Sequence, residues 1–124
     1  MTQPSLRGFV LALLACGLAS PALAVERSEV PAQYQWDMRA LYPDESAWAT
    51  AKQEIVRDLP GLGQWQGKLG TSSGSLLAGM AAWEQVSQRV DRLYAYASQL
   101  YDQDTRVSRH QQMQTEAGQV YADF

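Results

Sequence analysis

Apolar residues recur along this chain at steps of three and four, the spacing that gathers them on one face of a helix. The first such run holds Trp48, Ala51, Ile55 and Leu59, with Lys52, Glu54 and Arg57 off the stripe. Asp44 or Ser46 can cap it, and Leu59-Pro60-Gly61 is expected to end it near Asp58, because proline cannot continue the hydrogen-bond ladder. Leu62, Trp65 and Leu69 then suit a short two-turn helix between glycines. After "TSSGS" the longest stripe passes through Leu76, Met80, Trp83, Val86 or Val90, Leu93, Ala97 and Leu100, which predicts one helix to about Asp102. "DQDTRVS" breaks it. Ser108 can cap a last helix carrying Met113, Ala117, Val120, Tyr121 and Phe124.

No segment alternates as a strand does, so the class is all-α, with three helices plus a short fourth. Residues 25–43 precede them as an arm, irregular between Pro31 and Pro43. Tyr34, Trp36, Leu41 and Tyr42 are too many large apolar groups for a free tail, so the arm is expected to lie extended against the helices. Residues 44–124 form the helical lobe. The last stripe runs into Phe124 without a glycine cap or polar tail, which predicts more apolar surface than the lobe can cover.

The amino terminus reads differently. Arg7 precedes an apolar run of about 11 residues, Phe9 to Ala19, and Ala22-Leu23-Ala24 places small residues before a polar segment. Residues 1–24 therefore read as a signal peptide, too short for a membrane span of roughly 20 apolar residues. The mature chain is expected to be periplasmic or secreted, with no stable span; a lipoprotein signal ending at Cys16 is the lesser variant. Cys16 is the sole cysteine, so cleavage leaves a chain that packs without disulfides.

Composition narrows the chemistry. Ten Lys and Arg face thirteen Asp and Glu, a formal net charge of −3, and no basic run exists to meet nucleic acid. Gly67-Lys68 is followed by leucine and is preceded by no strand, so it is a turn and not a phosphate loop. The single histidine, His110, is followed by Gln111, Gln112, Met113 and Gln114 and completes no zinc motif. It reads as a solvated group at a helix start. Asp102 and Asp104 fall at a helix end and suit capping and solvation, with weak cation binding the lesser reading. No catalytic, cofactor or metal residue is assigned within the chain. Tyr94, Tyr96 and Tyr101 remain. Tyr94 and Tyr101 share a face beside the apolar stripe and Tyr96 lies on the other side, so packing is favoured over ligand contact.

"YQWDMRALYPDESAWATAKQEI" resembles the opening of oligoendopeptidase F-type zinc peptidases, relatives of thimet oligopeptidase. Trp36, Asp37, Leu41, Tyr42 and Trp48 match a W-D-L-x-x-L-Y pattern followed by tryptophan, with Met38 in place of leucine. "LPGLGQWQGKLG", "LLAGMAAWEQVSQRVDRLYAYASQLYDQDTR" and "HQQMQTEAGQVYADF" resemble the next segments in order. The resemblance implies the amino-terminal lobe of a helical, bowl-shaped enzyme that cleaves short peptides with zinc held by H-E-x-x-H and a distant glutamate. Those ligands are absent here, so the zinc and the catalytic lobe are expected elsewhere on the same polypeptide. The alternative is a non-enzymatic exported helical module that binds or scaffolds a partner.

Overall fold

The computed structural model describes residues 26–124; the signal-peptide reading and Cys16 lie outside them. The described residues divide at Val30: residues 26–30 belong to one unit and Pro31–Phe124 form a second, compact one. Within the first, Arg27–Glu29 make a single 3-10 turn. All that follows concerns the second.

Three α-helices dominate it: α1 (Glu45–Asp58), α2 (Ser73–Gln103) and α3 (Ser108–Asp123). No strand occurs among the described residues, and none of their helices is long and apolar enough to cross a membrane. Asp44 starts α1 from extended backbone, its carboxylate accepting the Ala47 N–H at 2.9 Å. Ser72 does the same for α2, its hydroxyl accepting the Ser75 N–H at 3.0 Å. Each satisfies one of the four N–H groups that a helix start leaves without a partner.

The first helix ends at Asp58, where Leu59-Pro60-Gly61 is expected to end it, and one other boundary differs from expectation. Leu59–Trp65 continues from α1 as a 3-10 helix with Pro60 in its first turn, where proline's missing N–H costs nothing. Ser108 is the first residue of α3 and not its cap; Val107 occupies the cap position without a side-chain bond.

Ten buried residues form the core, all apolar. α1 contributes Trp48 and Ile55; α2 contributes Val86, Val90, Leu93, Tyr96 and Ala97; α3 contributes Met113, Ala117 and Val120. α3 runs antiparallel to α2, as the short connection requires: Gln114 bonds Ser98, Tyr121 meets Tyr94 and Phe124 meets Trp83. Trp48 donates its Nε1–H to the Leu93 carbonyl at 2.9 Å and locks α1 onto the middle of α2. Lys52, expected off the packed face, reaches across to Glu116 at 2.5 Å and lies 5.6 Å from the Trp48 ring centre. Its long stem covers apolar surface while the ammonium pairs α1 with α3.

The segment before α1 is extended backbone punctuated by 3-10 turns at Ala32–Tyr34 and Met38–Ala40. Met38, Leu41 and Tyr42 pack on the core. Arg92 of α2 fixes them by donating to the Leu41 carbonyl at 2.9 Å and stacking 5.2 Å from the Tyr42 ring centre. Tyr34 and Trp36, expected against the helices, are instead exposed. They lie ahead of the last 3-10 turn and its Arg92 anchor.

Candidate functional site

The predicted polar candidates do not converge. Asp104 ends α2 and clasps Arg106, accepting from its Nε and Nη2 at 2.9 Å each and from its backbone N–H at 3.0 Å. Those bonds, chiefly the side-chain ones, hold the Asp104 carboxyl down at about 2. Asp102 is exposed on the last turn of the helix. The adjacent acids thus form no pair, and the one with a partner is committed to an arginine. His110 lies in the first turn of α3 and is half-buried, so it is not the solvated group expected. Its Nδ1 is shielded and has no hydrogen-bond partner.

A zinc ion requires at least three side-chain ligands on one point. Among the described residues, no three His, Cys, Asp or Glu side chains are grouped to hold a metal. The residues present therefore do not fit zinc.

The tyrosine trio separates three ways. Tyr96 is buried in the core, edge-on to Tyr42 with ring centres 5.4 Å apart. Burial, with the nearby carboxylates of Glu45 and Asp44, pushes its hydroxyl pKa up. Tyr101 is half-buried. Tyr94 is partly exposed and leans on Tyr121, ring centres 5.7 Å apart. Spacing on one helix brought them close in sequence, but α3 covers only part of α2's circumference, so they share no common surface.

A cleft of about 610 Å³ with a mixed polar and apolar lining opens beside Tyr42, Ile55, Arg89 and Arg92. Its cations are already engaged: Arg89 pairs with Asp58 at 2.9 Å and Arg92 with the Leu41 carbonyl. Such committed side chains hold the fold and leave little charge for an anionic ligand.

The notable surface is apolar. The 3-10 helix Leu59–Trp65, the turn that follows it and the first turns of α2 enclose a groove of about 580 Å³, lined by Leu62, Trp65, Leu69, Gly79, Met80 and Trp83. Gly67 (φ 72°) reverses the chain between the groove's walls in a conformation glycine tolerates. Gly79 makes the close approach possible. A Cβ there would overlap the Leu69 side chain and come within 3.4 Å of the Trp65 ring. Met80 and Trp83 are 60% and 52% exposed, and the neighbouring Leu77 is 72% exposed. Trp83 also stacks on Phe124, ring centres 5.6 Å apart, so the groove adjoins the end of α3. The stripe on α2 was legible in the sequence, but Gly79's role was not. A single glycine inside a helical pattern gives no sign of what lies against it.

Known proteins give this surface a context. Over 96 residues the chain is 34% identical to Oligopeptidase PepF of Bacillus subtilis (strain 168), a match covering 77% of this chain and 14% of that protein. It is 34% identical over 98 residues to Group B oligopeptidase PepB of Streptococcus agalactiae serotype III (strain NEM316), covering 79% and 16%. With the plasmid-borne Oligoendopeptidase F of Lactococcus lactis subsp. cremoris it shares 33% over 103 residues, covering 82% and 17%. The chain thus spans between 14% and 17% of the length of these relatives. No family model and no solved structure matches it.

Proposed function

We propose that this chain, a homologue of the oligoendopeptidase F family over most of its length, forms the amino-terminal helical lobe of a zinc-dependent endopeptidase acting on short peptides. Zinc and the catalytic residues belong, on this reading, to another part of the polypeptide. The observation that carries it is the asymmetry of the matches. They take up about four-fifths of this chain but no more than 17% of each relative cited. The uncovered apolar groove supports it, since a lobe of a larger enzyme presents such faces to its neighbours. The amino-terminal signal adds export, so the enzyme works in the periplasm or outside the cell.

Reading the coding DNA past the codon for Phe124 tests the proposal. An in-frame continuation containing H-E-x-x-H is expected; a stop codon followed by unrelated sequence would overturn it. Purified chain incubated with zinc and a quenched short peptide is expected to cleave nothing. Chelator-sensitive hydrolysis would place catalysis here and refute the division of labour. Export is checked by amino-terminal sequencing of the mature chain, which is expected to begin at Val25.

The alternative is a non-enzymatic exported module that binds a partner. The closed core of ten residues favours it, because three helices already bury a shared interior. Sedimentation over a range of concentrations separates the two. Both are expected to unfold cooperatively through the shared core; self-association that grows with concentration favours the lobe with its uncovered groove, and a monomer at every concentration favours the module.

A further inference from the structure

The three helices differ in length in a way that leaves the first turns of α2 without cover from α3. α2 has 31 residues and α3 has 16, which at 1.5 Å per residue is about 46 Å against about 24 Å. α3 returns along α2 only as far as the Trp83–Phe124 stack. The first turns of α2 overhang it. One side of that overhang is covered by Leu69 and Trp65, which close on Gly79. The remainder presents Leu77, Met80 and Trp83 to solvent.

We infer that the groove between Leu59–Gly70 and the first turns of α2 seats an apolar-faced helix from the remaining portion of the same polypeptide. This rests on the reading of the chain as one lobe of a longer peptidase. The occupant is argued from three observations. The relatives carry this segment within polypeptides of which it makes up no more than 17%, so an intramolecular occupant is available at high effective concentration. The groove holds about 580 Å³ and is almost wholly apolar, which suits the large side chains of a helix stripe and not a charged ligand. Leu77, Met80 and Trp83 stay 72%, 60% and 52% exposed in or beside the groove, apolar area that a packed helix would cover.

Photo-crosslinking in the full-length polypeptide tests this. Met80→p-benzoylphenylalanine puts a probe on a groove residue that is already exposed, so folding is little disturbed. Val56→p-benzoylphenylalanine, on the exposed side of α1 and outside the groove, is the control. Irradiation of mixed isotope-labelled and unlabelled protein, followed by peptide mapping, distinguishes links within one chain from links between copies. The expected result is a link from position 80 to a helical peptide beyond residue 124 of the same chain, several-fold stronger than from position 56. A link only between copies would overturn the inference in favour of a dimer. Links confined to residues 26–124, or equal yields from the two positions, would overturn it in favour of an open surface. In those outcomes the lobe reading survives, because the longer polypeptide exists. A reading frame that stops at Phe124 overturns both.

Discussion

Replacing Trp48 with phenylalanine probes the joint on which the three-helix arrangement depends. Trp48 is fully buried, and its indole N–H reaches from α1 to the Leu93 carbonyl in the middle of α2. Phenylalanine removes that donor without stranding a polar atom, because the carbonyl keeps its place in the helical ladder. The lost bond costs about 1 kcal/mol. The phenyl ring is also three ring atoms smaller, and unfilled space in a core this small adds about 2 kcal/mol. The expected destabilisation is therefore about 3 kcal/mol, which for a domain of this size lowers Tm by about 12–24 °C. Urea unfolding followed by far-UV circular dichroism, extrapolated linearly to water, measures it. Trp36→Phe is the control; Trp36 is exposed, and the change is expected to stay within about 0.5 kcal/mol. A Trp48→Phe loss below about 1 kcal/mol, or one matching the control, would refute the claim that this tryptophan clamps α1 to α2.

Other consequences are equally specific. Asp104 in the folded chain sits at about 2, below the ordinary 3.8, because of its Arg106 clasp. The sign follows directly: the clasp stabilises fully above pH 3.8, and its contribution is lost as pH falls through about 2. Asp104→Asn is expected to flatten the acid limb of a Tm-against-pH profile in that window; an unchanged slope would contradict it. Arg92→Gln removes the stack on Tyr42 and the guanidinium bonds to the Leu41 carbonyl, so the Leu41 amide, now bonded to Met38, is expected to exchange faster with deuterium while amides in the middle of α2 do not. Equal exchange at Leu41 in both proteins would mean the turn holds itself. Ser72→Ala removes the cap of α2 and is expected to cost about 1 kcal/mol in the same urea assay, with no measurable loss refuting the cap's role.

The sequence by itself determined the helices and their inward faces. Steps of three and four marked Trp48 and Ile55, then Val86 or Val90 with Leu93 and Ala97, then Met113, Ala117 and Val120, and these are core residues; Tyr96, expected off the stripe, is in the core as well. Asp44 and the serines before α2 were legible as caps because capping is a local bond within one turn. Likeness to the oligoendopeptidase F family was legible too, in an ordered series of short motifs. Tertiary structure decided what periodicity cannot encode. The stripe on α2 looks uniform in sequence, yet Val86 and Val90 are buried while Met80 and Trp83 are half open to solvent. The difference is the length of α3, which gives out beside Trp83. Pro60 marked the end of α1 in the sequence, but not the 3-10 helix that follows with that proline in its first turn, where no N–H is required. Lys52 and Glu116 pair although 64 residues separate them. Periodicity reports which way a side chain faces on its own helix. Whether anything stands opposite depends on helix lengths, crossing positions and close approaches such as Gly79 on Leu69, which arise only when the whole chain is packed.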